Sequence, residues 1–152
     1  MDNVNMPSFK ILGLAVRTTN ENGQSSQDIP GLWNQFMTDG IQERIPGKID
    51  NTIYCVYMDY EKDHTKPYTT LIGCKVSSLD AVPHGMTGKT LPGGNYTKQT
   101  VTGNILKGLV FDTWIRIWNS DIPRVYTADF EVYGEKAKNP EHAEVDIYLA
   151  VN

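Results

Sequence analysis

The chain of 152 residues carries 14 Lys and Arg against 18 Asp and Glu, for a formal net charge of -4, and 39% of it is hydrophobic. This size suits one domain over residues 1–152, and a mildly acidic chain without a basic cluster has no patch for a phosphate backbone, so we expect no direct nucleic-acid binding. No apolar stretch approaches the roughly 18 to 20 residues of a membrane helix and the start is polar, which predicts a cytoplasmic protein without membrane contact.

The first half of the chain predicts a strand, a helix and a hairpin. Phe9–Thr18 is rich in β-forming residues with apolar side chains on both parities, as in an inner strand. Apolar residues recur at helical spacing over Ile29–Met37, which predicts an amphipathic helix. Thr52–Tyr60 and Tyr68–Val76 flank a charged turn and are rich in aromatic and β-branched residues, which indicates an antiparallel hairpin.

The second half predicts the same order of elements. Tyr96–Val101 alternates in polarity just after a Gly-Gly bend and is interpreted as a strand. Asn104–Asn119 has a broad apolar face and is predicted as one helix. Phe130–Tyr133 and Glu144–Val151 then form a second predicted hairpin, joined by a polar loop.

This repeated strand, helix, strand, strand order indicates two pseudo-repeats, at approximately 9–76 and 89–151. Either copy alone has too small a sheet to be stable, so the two should lie side by side. The predicted fold is α+β, with a pseudo-twofold antiparallel sheet of about six to eight strands and two main helices on one face. Such an arrangement leaves a groove between the halves, floored by the sheet, where small-ligand pockets form.

Several kinds of chemistry lack their sequence signatures. The histidines His64, His84 and His142 lie in separate predicted loops without metal-ligand spacing, so we expect no metal site and no cofactor. There is no phosphate-binding glycine loop and no nucleophile elbow. Cys55 and Cys74 lie in apolar segments and are expected to be buried thiols.

The segment around Glu131 is the most informative. Strand alternation places Glu131 and Tyr133 on one face and Phe130 and Val132 on the other, without fixing which face is inside. A carboxylate in an aromatic-walled groove is costly unless something pairs with it. A lipophilic cation would supply both the charge and an attraction to the ring faces.

Aromatic side chains are plentiful, with 4 Phe, 3 Trp and 8 Tyr. Those at helical spacing, Trp33, Phe36 and Trp114, suit either a core or a pocket, and both interpretations stay open. Tyrosines are better pocket candidates because a buried hydroxyl needs a partner. Tyr54 and Tyr57 have opposite parity, so only one of them faces a given groove. The candidate ligand-binding residues are Glu131, Tyr133, Tyr148, Trp33, Trp114, Tyr57 and Phe36.

The duplicated element order, FDTWIRIW in the second helix, FEVY at Phe130–Tyr133 and the closing EVDIYLAV resemble the GyrI-like, or AraC-type, effector-binding domain. In that family a pocket between the halves receives amphipathic cations at an acidic residue among aromatics. The resemblance implies that Glu131 is this carboxylate, with Tyr133 in the same motif and Tyr148 in the closing strand. Trp33 and Trp114 match the helix aromatics.

Three functions follow from this resemblance and stay open at this stage. The first is a small-molecule-binding module that senses or sequesters lipophilic cations. The second is a hydrolase of strained-ring compounds, with Glu131 as general base and Tyr133 or Tyr148 orienting substrate. The third is a protein-interaction module of the gyrase-inhibitor type, and a homodimer is compatible with any of them. Residues 1–8 are too few for a preceding helix-turn-helix, so we expect no DNA binding in cis.

Overall fold

The β-rich segments of the chain assemble into one antiparallel sheet of eight strands, which carries the helices on one face. The computed structural model describes residues 2–152. The strands are β1 (Asp2–Met6), β2 (Phe9–Thr18), β3 (Ile53–Met58), β4 (Tyr68–Val76), β5 (Thr87–Leu91), β6 (Gly94–Gly103), β7 (Ala128–Tyr133) and β8 (Ala143–Ala150). The helices are α1 (Ser25–Thr38), α2 (Ile41–Arg44) and α3 (Leu109–Trp118). The predicted α+β fold is confirmed.

The sheet order β1-β6-β8-β7-β3-β4-β2-β5 has pseudo-twofold symmetry about the central pair of β7 and β3. The outermost strands are exchanged between the halves. The strand β1 precedes β2 in the chain but pairs with β6, whereas β5 precedes β6 but pairs with β2. Each half therefore completes the sheet edge of the other, which ties the two halves into one sheet.

Some element boundaries differ from the prediction. The edge strands β1 and β5 were not predicted, because they are short, largely polar and partly exposed and so lack the apolar pattern of inner strands. The second helix begins at Leu109, because Gly108 adopts a φ of 86° and residues 105–107 form a 3-10 turn before it. The short helix α2 lies in a segment predicted as a plain connection. No helix within residues 2–152 is long and apolar enough to cross a membrane.

The two faces of the sheet are buried in different ways. On one face, α1 packs through Leu32 and Phe36, and α3 packs through Trp114 and Ile117. On the other face, the ring of Phe9 in β2 lies 5.4 Å from that of Phe130 in β7. These strands stand three positions apart, about 14 Å in a flat sheet, so the sheet must curl around its own aromatic core. The face that carries the helices contains the candidate site.

Both cysteines are free and buried among the apolar residues under α1, which confirms the expectation of buried thiols. Burial raises the pKa of Cys74 to about 11 and raises the pKa of Cys55 as well. A thiol is a nucleophile only as the thiolate, so these two cysteines are poor nucleophiles near neutral pH.

Candidate functional site

A cavity of about 240 Å³ lies between α1 and α3, with the strands β3 and β7 beneath it. The sheet contributes Tyr57, Glu131 and Tyr133 to its lining, and the helices contribute Trp33 and Trp114. The groove predicted between the two halves is therefore present, and aromatic rings line most of it around Glu131.

The carboxylate of Glu131 is 1% exposed and accepts hydrogen bonds from three neutral donors. The Tyr57 hydroxyl and the Trp114 indole N–H both donate to Oε2 at 2.6 Å, and the Tyr133 hydroxyl donates to Oε1 at 2.5 Å. Burial raises the pKa of Glu131, although the three hydrogen bonds act in the opposite direction. Within residues 2–152, Glu131 forms no salt bridge.

The register of the central strands brings these groups together. Glu131 lies between Cys55 of β3 and Ile147 of β8, so it faces the helices. Tyr57 and Tyr133 are each two residues along their strands from this pair, and alternation places them on the same face. The Cys55 thiol lies 3.5 Å from the Tyr57 hydroxyl, which itself donates to Glu131. The alternation of β3 and β7 thus places one tyrosine hydroxyl at each oxygen of the Glu131 carboxylate.

Edge-to-face ring packing fixes the walls around the carboxylate. The Trp33 and Tyr133 rings lie 5.0 Å apart at 80°, and the Tyr57 and Trp114 rings lie 5.2 Å apart at 79°. Such pairs contribute beyond the area that they bury. The two tryptophans from the two helices are thereby fixed against the two tyrosines of the sheet, and the cavity is preorganised.

A buried ion pair lies beside the cavity. Asp129, two residues before Glu131 and on the same face of β7, is fully buried and pairs with Arg124 at 2.7 Å. Asp129 also accepts hydrogen bonds from the Tyr60 hydroxyl at 2.6 Å and from the Ala150 backbone N–H at 2.9 Å. The Arg124 side chain lines the cavity. Its charge is balanced by Asp129, whereas that of Glu131 is not balanced by an ion pair in the described chain.

The side chain of Asn20 links three segments of the chain by hydrogen bonds at the rim of the cavity. Its Nδ2 donates to the His64 carbonyl at 2.8 Å, and its Oδ1 accepts from the Tyr68 hydroxyl at 2.6 Å and the Ser25 hydroxyl at 2.8 Å. All four residues line the cavity. They connect the loop after β2, the start of α1 and the tip of the β3–β4 hairpin.

We expect Asn20→Ala to lower the free energy of unfolding by about 1–2 kcal/mol, because it leaves partly buried donors without acceptors. The hairpin tip at residues 61–67 should also open more often. Hydrogen exchange of the amides in this tip measures the effect, with Asn5→Ala as a control, since the Asn5 side chain donates to exposed Asn95 at the far edge of the sheet. Unchanged exchange in residues 61–67 would contradict this role of Asn20.

Five of the seven predicted site residues line the cavity: Glu131, Tyr133, Trp33, Trp114 and Tyr57. The other two do not. Tyr148 lies opposite Phe130 in the register and stacks on its ring at 4.8 Å and 17°, on the face of the sheet away from the helices. Phe36 is 1% exposed and packs beneath α1 against the sheet. Tyr148, which the family resemblance assigned to the pocket, thus belongs to the opposite core.

Sequence reasoning missed several lining residues, notably Arg124, Asn20, Tyr60 and Tyr68. Arg124 and Asn20 lie in irregular segments, where no periodicity predicts a direction. One available signal was the parity of Asp129, since alternation places this acidic residue on the face of Glu131 and a buried carboxylate requires a partner. Among residues 2–152 no group of three potential metal ligands is found.

Comparisons with known proteins identify the family of this chain. Residues 4–151 match the family described as Cass2, integron-associated effector binding protein. A putative transcriptional regulator protein, YobU of Bacillus subtilis (strain 168), is 30% identical over 146 residues, covering 93% of this chain and 91% of YobU. The chain belongs to the Cass2 family of effector-binding proteins, and the predicted membership of the effector-binding superfamily is confirmed.

Solved structures share the fold. The integron cassette protein VCH_CASS2 from the mobile metagenome of Vibrio cholerae is 26% identical, with a TM-score of 0.76, covering 99% of this chain and 95% of that protein. SAV2435, solved bound to tetraphenylphosphonium, is 14% identical with a TM-score of 0.77, covering 99% of this chain and 93% of that protein. At 14% identity, the likeness to SAV2435 establishes the fold alone.

Proposed function

We propose that this protein is a small-molecule-binding module that senses or sequesters a lipophilic cation in the cavity between α1 and α3. The observation that carries the proposal is Glu131, a buried carboxylate with three neutral donors and no ion-pair partner in residues 2–152. Isolated buried charges are costly and are normally paired. A ligand cation would supply the missing charge.

The aromatic walls support a cation rather than a neutral ligand. Trp33, Trp114, Tyr57 and Tyr133 surround the carboxylate, and ring faces attract a cation most strongly where water is excluded. The cavity of about 240 Å³ is slightly smaller than the roughly 300–1,000 Å³ of typical ligand pockets, which favours a compact cation. The ligand-bound structure of SAV2435 supports the same class, because that protein has this fold and holds tetraphenylphosphonium.

Two features favour binding over the alternative functions. Both oxygens of Glu131 accept short hydrogen bonds, which leaves the carboxylate poorly placed to activate water as a general base. The groove also contains an open cavity rather than packed side chains, which supports a ligand site over a protein-interaction surface. We also propose that the protein is cytoplasmic and acts as a single domain.

A matched pair of probes tests the proposal directly. Benzyltrimethylammonium and the neutral isostere neopentylbenzene have nearly the same shape, so their difference in affinity reports the charge. Titration followed by tryptophan fluorescence is suitable, because Trp33 and Trp114 line the cavity. We expect the cation to bind at least tenfold more tightly than the isostere, and equal affinity, or no response to either probe or to tetraphenylphosphonium, would overturn the proposal.

The affinity for a cation should rise with pH. Burial raises the pKa of Glu131, so part of the carboxylate is protonated above the usual range of glutamate, and the proton must leave before the ion pair forms. Affinity should therefore increase as the pH rises through the pKa of Glu131 and then level off. Burial lowers the pKa of His64 at the rim, so His64 is neutral over the upper part of this range. Calorimetric titration with benzyltrimethylammonium from pH 4 to pH 8 measures the profile, and a flat profile would contradict it.

A further inference from the structure

We propose that Arg124 forms a second polar subsite in the cavity, which donates hydrogen bonds to an acceptor group on the ligand. The preferred ligand is then a lipophilic cation that carries a carbonyl, ether or carboxylate oxygen at the end away from its charge. This inference rests on the proposed function, since it concerns the same cavity, and it goes further by defining the chemistry of the ligand's other end.

The hydrogen bonding of Arg124 is incomplete. Its side chain is only 4% exposed, and Nη2 donates to Asp129 at 2.7 Å. The remaining two nitrogens, Nε and Nη1, are buried and have no hydrogen-bond partner among residues 2–152. A guanidinium offers five N–H donors in a fixed plane, so a large share of this side chain's donor capacity is unused.

Unused donors of this kind are rare in folded proteins, because a buried N–H without an acceptor costs free energy. Ring contacts compensate only partly. The guanidinium lies 4.4 Å from the Tyr126 ring centroid and 5.6 Å from that of Trp114, but a ring face is a much weaker acceptor than an oxygen. Arg124 lines the cavity, so an oxygen acceptor would approach the guanidinium from there. Because Nε and Nη1 have almost no accessible surface, the guanidinium must turn slightly toward the cavity to meet this oxygen.

The charges at the two ends of the cavity are compatible with one amphipathic ligand. Asp129 neutralises Arg124, so a bound cation is not repelled by a free positive charge. Trp114 separates the two subsites, because its indole N–H donates to Glu131 while its ring lies against Arg124. A ligand that spans this ring would place its cation at Glu131 and its acceptor at Arg124.

Two para-substituted probes isolate the acceptor. The first is 4-(methoxycarbonyl)benzyltrimethylammonium, and the second is 4-propylbenzyltrimethylammonium, which has similar size and the same charge but no oxygen. We expect the ester to bind roughly tenfold more tightly than the propyl compound, because hydrogen bonds from charged donors are among the stronger ones. In Arg124→Met the ratio of the two affinities should fall to about one, since neither probe then meets a guanidinium donor, and this ratio is the readout because the change at Arg124 affects both cations alike.

Arg124→Met removes the partner of buried Asp129 and could fail to fold, so a measurement on the unmodified protein accompanies it. A crystal structure of the protein with the ester should place its carbonyl oxygen within hydrogen-bond distance of Nε or Nη1 of Arg124. In solution, the Nε–H resonance of Arg124 should shift on binding the ester and stay in place on binding the propyl compound.

The outcomes separate this inference from the proposed function. If both cations bind with equal affinity, or if the ester oxygen lies away from Arg124, the acceptor subsite is refuted while the cation site at Glu131 stands. If neither para-substituted cation binds but benzyltrimethylammonium does, the acceptor subsite is refuted and the cation site stands, whereas if none of the three cations and no tetraphenylphosphonium binds, both proposals are refuted. A tenfold preference for the ester together with the Arg124 contact establishes the subsite.

Discussion

Asp129→Asn is expected to lower the free energy of unfolding by about 3–5 kcal/mol, the usual cost of breaking a buried ion pair by removing one charge. The Asn side chain is close in shape, but its one oxygen replaces only one of two acceptors, since the Tyr60 hydroxyl donates to Oδ2 of Asp129 and the Ala150 N–H donates to Oδ1. Arg124, however, would remain charged and 4% exposed without its counter-ion. The loss therefore reports the uncompensated charge together with one lost hydrogen bond, and no cavity is created.

Urea denaturation of the wild-type protein and the variant measures this loss. Asp146→Asn is the matched control, because Asp146 lies on β8 with its side chain 28% exposed and its partner Lys98 is 3.8 Å away. Such an exposed pair contributes at most about 1 kcal/mol. Similar losses of unfolding free energy in the two variants would show that the Arg124–Asp129 pair stabilises the protein no more than a partly exposed pair does.

Glu131→Gln is expected to lower the affinity for benzyltrimethylammonium by roughly 30-fold or more, because the loss of one charge from a desolvated pair costs about 2–5 kcal/mol. The amide oxygen can still accept from Tyr57 and Trp114, so the aromatic walls keep their places. Glu144→Gln is the control, since Glu144 is partly exposed on β8 and pairs with Lys136 at 3.3 Å. Full affinity in Glu131→Gln would contradict the ion pair.

The same substitution should not destabilise the protein at neutral pH. Because the folded-state pKa of Glu131 is raised, the ionised carboxylate opposes folding once the pH exceeds its unfolded value, and that penalty grows as the pH rises through the folded-state pKa. Glu131→Gln removes this dependence. Its stability relative to the wild-type protein should therefore increase from acidic to neutral pH, which melting curves at several pH values can measure.

The parts of the fold that the sequence predicts are those with a strong apolar period. β2, β4 and α1 bury continuous faces, so their patterns are legible in a single sequence. The edge strands β1 and β5 bury little and owe their place to pairing with the opposite half. Such long-range pairing leaves no local pattern, which is why both strands were missed.

For the site, parity gave the correct relation between Glu131 and Tyr133 but could not place other strands beside them. Within β8, alternation alone allows Tyr148 to face the pocket. Its pairing with Phe130 places it instead on the face of the sheet away from the helices. Register depends on the assembled sheet and not on one segment. The parity of Asp129 indicates that this carboxylate needs a partner, but it does not identify Arg124, which lies in an irregular segment and reaches Asp129 only in the assembled fold.

The most direct test of the account is the pKa of Glu131 itself, measured by carboxyl carbon NMR with and without saturating benzyltrimethylammonium. Without the cation, the pKa should lie above the usual range of glutamate because the carboxylate is buried. With the cation bound, it should fall clearly, since the paired charge favours the ionised form. An unchanged pKa on saturation would show that the cation does not pair with Glu131 and would contradict the account.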